Sequence, residues 1–255
     1  MSINLCGVKL DQVTLDEAIN LIVDSAILGN IPKYVVTPNA QHILLLQNDM
    51  HFSEIYAKAF LVVADGVPLV WASRLLKKPL PGRINGTDLF ERLCQVAAEK
   101  GLKVFLLGGR PQAAENAAKL LQQRHPNLNV VGTYCPPYGF ETDPAELASI
   151  NSKIKTAAPH LLFVGLGAPK QEYWMYQVHQ ELEVPISIGI GGSFELVSGA
   201  VPRAPIWMQK SGLEWFFRLI AEPRRLWKRY ILGNPHFIWL VFGQWMRQSL
   251  AKKTS

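Results

Sequence analysis

Residues 160–167 read HLLFVGLG, an apolar run that ends in glycine and leads into the polar sequence APKQE of residues 168–172. A short apolar run closed by glycine is typical of a buried strand that ends in a tight turn. Five further apolar runs recur along the chain. They are YVVTPN (34–39), LVVADG (61–66), KVFLLGG (103–109), NVVGTY (129–134) and PISIGIGG (185–192).

Amphipathic stretches lie between these runs, and the clearest are residues 85–101 and 110–126. For the first we predict a helix capped by Thr87 or Asp88 and ended by Gly101. Alternation of continuous apolar strands with helices predicts an α/β fold, with a mostly parallel, Rossmann-like sheet and helices on both faces. In such sheets ligands bind beyond the carboxyl ends of the strands.

The composition is that of a globular protein. Of 255 residues 49% are apolar and 18% are charged, which excludes wholesale disorder. Cys6, Cys94 and Cys135 form no C-x-x-C pair, so reduced thiols are expected rather than disulfides or a zinc site. The N-terminus lacks the charged start and long apolar run of a signal peptide, which favours a cytoplasmic location.

The charge is unevenly distributed. Residues 1–200 carry 16 Lys and Arg against 18 Asp and Glu, whereas residues 201–255 carry 10 against 2 and hold five of the seven tryptophans. We therefore predict an α/β domain over 1–200 and a basic, aromatic appendage over 201–255. Such a segment could meet nucleic acid, an anionic membrane or a phosphate-bearing ligand.

The appendage reads as helices broken at Pro223 and Pro235. Its apolar run 237–242 is too short to span a bilayer, which needs about 20 residues, but aromatic residues mixed with Arg and Lys suit a helix lying in the membrane interface. If a helix continues through Pro223, Arg218, Arg225 and Arg229 share one of its faces.

Polar side chains follow two of the predicted strands. Thr37 and Asn39 follow the strand that begins at residue 34, and Asp65 and Gly66 end the run that begins at residue 61. A carboxylate surrounded by apolar sequence is a candidate general base, although a helix cap or turn is an equally good reading from position alone.

Three glycine-rich turns, at 106–111, 164–172 and 189–195, follow strands and could hold a diphosphate through backbone N–H groups. None is a dinucleotide fingerprint, because the second runs Gly165-x-Gly167-x-x-Lys170. Together they favour a nucleotide. The candidate binding residues at these turns are Gly108, Gly109, Gly167, Lys170, Gly191 and Gly192.

The sequence predicts no metal site, since it has no Asp-x-Asp pair and its six histidines lack metal-ligand spacing. We expect a bound diphosphate to be balanced by Arg, Lys and helix N-termini. Arg83, flanked by Gly82 and Gly86, is a candidate phosphate contact. No cofactor is expected.

Eight segments together resemble the WecG/TagA/CpsF glycosyltransferase family, also called glycosyltransferase family 26. They occur in family order over most of residues 1–230. The segments are TPN (37–39), ADGVPLVWASR (64–74), GRINGTDL (82–89), FLLGG (105–109), GLGAPKQE (165–172), GIGGSFE (189–195), RAPIWMQKSGLEWFFRL (203–219) and EPRRLWKRY (222–230).

The resemblance implies an inverting, metal-independent transfer of a sugar from a UDP-sugar to a polyprenyl-diphosphate-linked saccharide. Members act at the inner face of the cytoplasmic membrane in the synthesis of teichoic-acid linkage units and exported polysaccharides. A peripheral membrane location is therefore expected. The donor sugar, the acceptor saccharide and homo-oligomerisation are left open.

The resemblance also implies roles for particular residues. The family's catalytic base falls on Asp65, its polar pair at a strand end falls on Thr37 and Asn39, and the loop arginine is Arg83. Asp65, Thr37 and Arg83 are therefore the predicted catalytic residues, in a domain over 1–200 that binds the UDP-sugar. The glutamine of PKQE is Gln171. Glu195 stands where the family often has Asp, and the appendage arginines fall on Arg218, Arg225 and either Lys228 or Arg229.

Two other classes of function remain open at this stage. A nicotinamide-dependent oxidoreductase would use the same α/β body, but the imperfect glycine turns speak against it. A nucleic-acid-binding module would use the basic, aromatic tail. The near-neutral body and the polar residues at strand ends make that module the weakest of the three hypotheses, so no nucleic-acid partner is expected.

Overall fold

The computed structural model describes residues 1–29, 31–227, 231 and 233–251. An antiparallel hairpin precedes a six-stranded sheet whose described strand pairs are all parallel, in the order β4-β3-β8-β7-β5-β6. The strands are β1 (Ser2–Leu5), β2 (Val8–Asp11), β3 (Lys33–Val36), β4 (Leu61–Val62), β5 (Lys103–Gly108), β6 (Asn129–Tyr134), β7 (Leu161–Gly165) and β8 (Ile186–Gly189).

Helices connect the strands and continue after the last one. They are α1 (Leu15–Leu28), α2 (Ala40–Asn48), α3 (Met50–Lys58), α4 (Val67–Leu75), α5 (Gly86–Lys100), α6 (Ala113–Arg124), α7 (Pro144–Ala157), α8 (Lys170–Leu182), α9 (Ser193–Val197), α10 (Ile206–Ser211), α11 (Glu214–Ala221), α12 (Pro223–Trp227) and α13 (Gly233–Ala251), with a short 3₁₀ turn at Phe140–Thr142.

The six apolar runs predicted as strands all form strands of this sheet, and the α/β class is confirmed. Alternate residues of each strand enter different cores, as the two-residue strand period requires. Val36 and Leu162 pack with α2, α3 and α8 on one face, whereas Val35 and Phe163 pack with α1, α5 and α6 on the other. The strands are apolar along their length because both faces are covered.

Strands β3 and β8 are neighbours in the interior of the sheet, and the chain leaves them in different directions. After β3 it enters α2, which packs against α3 and α13. After β8 it enters α9, which packs against α5 and α6. A crevice therefore opens beyond the carboxyl ends of β3 and β8, where a ligand is expected in a parallel sheet.

Three details differ from the sequence-based expectations. The β1–β2 hairpin was not predicted. The cap of α5 is Asn85, whose side chain accepts a hydrogen bond from the Thr87 N–H, rather than Thr87 or Asp88, while Gly101 ends the helix as expected. Pro235 lies in the first turn of α13 and not at a break, because proline at a helix start sacrifices no hydrogen bond.

The helices after residue 200 are attached to the body by ion pairs. Arg83 Nη1 lies 2.6 Å from Glu214 Oε2, and Arg110 Nη2 lies 2.5 Å from Glu222 Oε1. Arg203 pairs with Asp88 as well. Arg83 lies in the loop between α4 and α5, and Arg110 lies in the turn after β5, so these contacts hold the two ends of α11 against the body. The division of the chain near residue 200 stays a prediction.

Two properties of the terminal helices bear on the predicted appendage. None of the helices within the described ranges is long and apolar enough to cross a membrane. Helix α11 ends at Ala221 and α12 begins at Pro223, so the predicted break at Pro223 is confirmed, and Arg218 and Arg225 do not share one continuous helix. The break follows from Pro223, whose ring would clash with the preceding turn of a continuous helix.

Candidate active site

Polar residues from four separate segments meet in the crevice between β3 and β8. A polar cavity of about 360 Å³ lies there, and a small cavity of about 80 Å³ adjoins it. Five residues line both cavities and so mark the junction between them: Asn39, Gln41, Asp65, Asn85 and Arg218. Any group transferred from one cavity to the other passes these side chains.

Asp65 is half-buried at this junction and is held there by the backbone and by a neighbour. Its N–H donates to the Pro38 carbonyl at 2.8 Å, which ties the end of β4 to the end of β3. Asn85 Nδ2 donates to Asp65 Oδ1 at 3.1 Å. This hydrogen bond restricts the orientation of the carboxylate.

Asn85 is a site residue that the sequence analysis missed. Its Oδ1 accepts the Thr87 N–H at 2.9 Å and caps α5, so its amide nitrogen is directed to Asp65. The signal was present, because asparagine is among the best N-cap residues and stands directly before the helix.

Thr37 and Asn39 lie in the crevice, but their side chains already have structural partners. The buried Thr37 hydroxyl donates to the Gly189 carbonyl at 2.9 Å and so connects β3 to β8. Asn39 Oδ1 accepts the Gln41 N–H at 3.1 Å and caps α2. The catalytic role predicted for Thr37 stays a prediction, and its visible role is to fix the strand ends.

Gln171 supports the opposite wall of the polar cavity. Its Oε1 accepts the Gly191 N–H at 3.0 Å, and its Nε2 donates to Glu172 Oε1 at 2.8 Å. Gly167, Gly191 and Gly192 line the same cavity, as predicted from the glycine turns. Gly66 lines the small cavity at a φ of 150°, a conformation that requires glycine.

Glu172 and His42 form a buried pair behind this wall, and neither was predicted. His42 Nδ1 accepts the Asn39 N–H at 3.2 Å, so a neutral imidazole carries its proton on Nε2, 3.5 Å from Glu172 Oε1. Through His42 and Gln171, Glu172 thus connects residues 39 and 191 on the two sides of the crevice.

The Glu172 charge also acts on a neighbouring side chain. Burial, and secondarily the Glu172 charge, raises the pKa of Tyr56 well above its ordinary value.

The two predicted site arginines have different surroundings. Arg218, on α11, lines both cavities, and its Nη2 lies 3.7 Å from the position that a Cβ on Gly192 would take. Its buried Nε has no hydrogen-bond partner among the described residues. Arg83 instead donates to Glu214, so much of its charge is already balanced.

Several predicted binding residues lie elsewhere. Gly108 and Gly109 serve close packing, since a Cβ on Gly108 would approach the Gly165 backbone to 2.8 Å, and one on Gly109 would approach the Phe194 ring to 3.1 Å. Neither lines the two cavities, so these glycines make a tight turn rather than a diphosphate cradle.

Charged candidates also have other partners. Lys170, the first residue of α8, pairs with Glu141 and does not line the cavities. Glu195 is buried, and its Oε1 accepts the Arg110 N–H at 2.8 Å. Arg225 belongs to α12, but its side chain lies outside the described part, as does the whole of Arg229.

The described side chains that commonly bind metal ions are scattered through the fold. Among the residues that the structure describes, no group of three or more His, Cys, Asp or Glu side chains could hold a metal ion. Cys6, Cys94 and Cys135 are free thiols.

Comparison with known proteins identifies the family. The family model described as "Glycosyl transferase WecG/TagA/CpsF family" matches residues 3–251. The chain belongs to this family. It is therefore a glycosyltransferase, which confirms the resemblance seen in the motifs and decides against the oxidoreductase and nucleic-acid-binding hypotheses.

Curated relatives carry a more specific name. Proteins of Staphylococcus aureus strains NCTC 8325 / PS 47 and MRSA252, each named N-acetylglucosaminyldiphosphoundecaprenol N-acetyl-beta-D-mannosaminyltransferase, are 32% identical to this chain over 228 residues. The matches cover 89% of this chain and 86% of each relative.

The two functions of the Asn85 side chain can be separated by substitution. Asn85→Ala removes both, whereas Asn85→Ser keeps a capping oxygen but is too short to reach Asp65. We expect Asn85→Ala to lower the free energy of unfolding by about 1 kcal/mol and Asn85→Ser to change it little. Both should lower sugar transfer about tenfold or more.

Urea unfolding and initial transfer rates measure the two effects. Wild-type transfer by Asn85→Ser would show that the hydrogen bond to Asp65 is not used.

Proposed function

We propose that this glycosyltransferase moves N-acetylmannosamine, or a closely related sugar, from a UDP-sugar to a polyprenyl-diphosphate-linked N-acetylglucosamine. One observation carries the proposal: Asp65 lies where the polar cavity meets the small cavity. A transferase needs a base between its donor and its acceptor. The names of the Staphylococcus relatives support the choice of sugars.

The polar cavity suits the nucleotide donor. Gly167 and Gly191 present backbone at two strand-to-helix turns, and α8 begins at the same place with its positive dipole end. Arg218 lies over Gly192 and can donate to a diphosphate. The charge that develops on the departing UDP is then met by a fixed guanidinium, and the reaction needs no metal ion.

The small cavity suits the acceptor hydroxyl. The Asp65 carboxylate takes the hydroxyl proton while the acceptor oxygen bonds to the anomeric carbon of the donor. The bond between that carbon and the UDP oxygen breaks, and its electron pair leaves with UDP. Asp65 lines both cavities, and this supports attack from the small cavity with departure of UDP into the polar cavity, a course that would invert the configuration at the anomeric carbon.

The surface and charge of the terminal helices suit an enzyme that acts at the membrane surface. A polyprenyl acceptor stays in the bilayer, so the enzyme must approach it. The terminal helices expose Trp207, Phe216, Trp227 and Trp239, and residues 201–255 carry 10 Lys and Arg against 2 Asp and Glu. Each basic residue near an anionic surface contributes about 1 kcal/mol of attraction. We propose a peripheral location at the inner face of the membrane.

Transfer can be tested directly with a synthetic acceptor. We expect UDP-N-acetylmannosamine and N-acetylglucosaminyl-diphospho-polyprenol to give UDP and a disaccharide lipid, at a rate that excess EDTA does not change. Mass spectrometry of the product and coupled detection of UDP measure the reaction. Stabilisation by NADH and not by UDP in a thermal-shift assay would refute the proposal.

The base assignment predicts a selective defect in Asp65→Asn. The amide keeps the shape but accepts no proton, so we expect turnover to fall by about 10²–10⁴-fold while UDP affinity is retained. Asp24→Asn, an exposed carboxylate on α1, is the matched control and should behave as wild type. Near-wild-type turnover by Asp65→Asn would eliminate Asp65 as the base.

Arg218 should govern donor affinity. We expect Arg218→Ala to weaken UDP binding by about tenfold to a hundredfold, because a charge-assisted hydrogen bond is lost. Arg224→Ala removes the same charge from an exposed position of α12 and should leave binding unchanged. Isothermal titration calorimetry with UDP makes the comparison. Equal losses in both variants would show a general charge effect instead of a contact.

A further inference from the structure

An apolar groove lies between α4 and α13 and is separate from the polar cavity. Its volume is about 740 Å³. Trp71 and Leu75 of α4 form one wall, and Ile238, Val241 and Phe242 of α13 form the other. Trp71, Leu75, Ile238 and Phe242 are exposed, although they lie beside a buried core that includes Val241. Exposed apolar surface gathered in a concave groove indicates a binding site.

The groove is continuous with the small cavity beside Asp65. Pro68, Trp215 and Asn234 line both of them. A molecule that places a hydroxyl at Asp65 can therefore extend into the groove without leaving the protein surface. The lining changes along this path from the Asp65 carboxylate and the Arg218 guanidinium to hydrocarbon and aromatic side chains.

We propose that this groove binds the first isoprene units of the acceptor's polyprenyl chain. The inference rests on the proposed function. The order of groups in such an acceptor matches the order along the protein: a sugar hydroxyl at Asp65, a diphosphate in the part of the small cavity beside Trp215 and Asn234, and a hydrocarbon chain between α4 and α13. Burial of each CH₂ group contributes about 0.8 kcal/mol, so a short segment of the chain is enough to orient the acceptor.

The groove then supplies specificity that a flat membrane contact would not. A bilayer would contact the outward side chains of α13, including Trp239, which does not line the groove. Its neighbour Ile238 does line the groove. The two residues are 69% and 65% exposed, which makes them a matched pair for separating the two surfaces.

The test uses two acceptors, N-acetylglucosaminyl diphosphates carrying a C5 or a C15 isoprenoid chain. Both are assayed below their aggregation concentrations, without detergent or vesicles. For the wild type we expect kcat/KM to be at least about tenfold higher with the C15 acceptor, which burial of two further CH₂ groups would produce. Equal values for the two acceptors would refute the role of the groove and leave the proposed function intact.

Single substitutions show which surface produces the dependence of kcat/KM on chain length. Ile238→Gln should lower the C15 to C5 ratio of kcat/KM by about tenfold, whereas Trp239→Gln should keep the wild-type ratio. Leu75→Gln, on the opposite wall, should act as Ile238→Gln does and provides the test if the α13 variant does not fold. Equal ratios in Ile238→Gln and Trp239→Gln, with losses of activity only when vesicles are present, would assign the surface to the bilayer and overturn the proposal. Lack of transfer to both acceptors by the wild type would refute the proposed function and, with it, the groove's role.

Discussion

The parallel pairing of β3 with β8 is the constraint on which the site depends. It places the chain after Val36 beside the chain after Gly189, although about 150 residues separate them in the sequence. Since the connections leave these strands in different directions, the crevice between them cannot be filled by the next helix. The Thr37 hydroxyl, which donates to the Gly189 carbonyl, closes the pairing at the point where the cavity begins.

A buried carboxylate, that of Glu172, links the two sides of this crevice. Glu172 is fully buried and contacts Gln171 on one side and His42 on the other. A charge removed from water is costly unless hydrogen bonds offset the loss of solvation. His42 and Gln171 in turn accept the N–H groups of Asn39 and Gly191. The buried carboxylate therefore helps to position two backbone segments of the site.

The strands of the fold could be predicted from the sequence, because runs such as KVFLLGG must be buried on both faces and end in turns. Their order could not. The connection from β4 to β5 crosses β3, β8 and β7, and no local pattern specifies such a crossing. The apolar runs therefore placed Asp65 and Asn39 at the rim of the sheet, whereas Arg218 was predicted as a site residue only through the family resemblance.

The positions of single predicted residues have local physical causes. Lys170 and Gln171 are consecutive on α8, and one helical residue turns by about 100°, so Gln171 faces the cavity while Lys170 faces Glu141. Gly108 allows close backbone packing, a requirement that resembles a phosphate turn in the sequence alone. Burial of His42 and Glu172 depends on which helices cover them, and this follows only from the assembled fold.

The attachment of α11 is also part of the chemistry. Glu214 and Arg218 are four residues apart on α11 and so lie on the same helical face. The mostly buried pair between Glu214 and Arg83 fixes that face against the loop that leads to Asn85. Breaking such a pair from one side costs about 3–5 kcal/mol, because a buried charge is left without a partner. A helix held this firmly keeps the Arg218 guanidinium over Gly192, so Arg83 acts on the site by positioning Arg218, even though its own charge is balanced by a carboxylate.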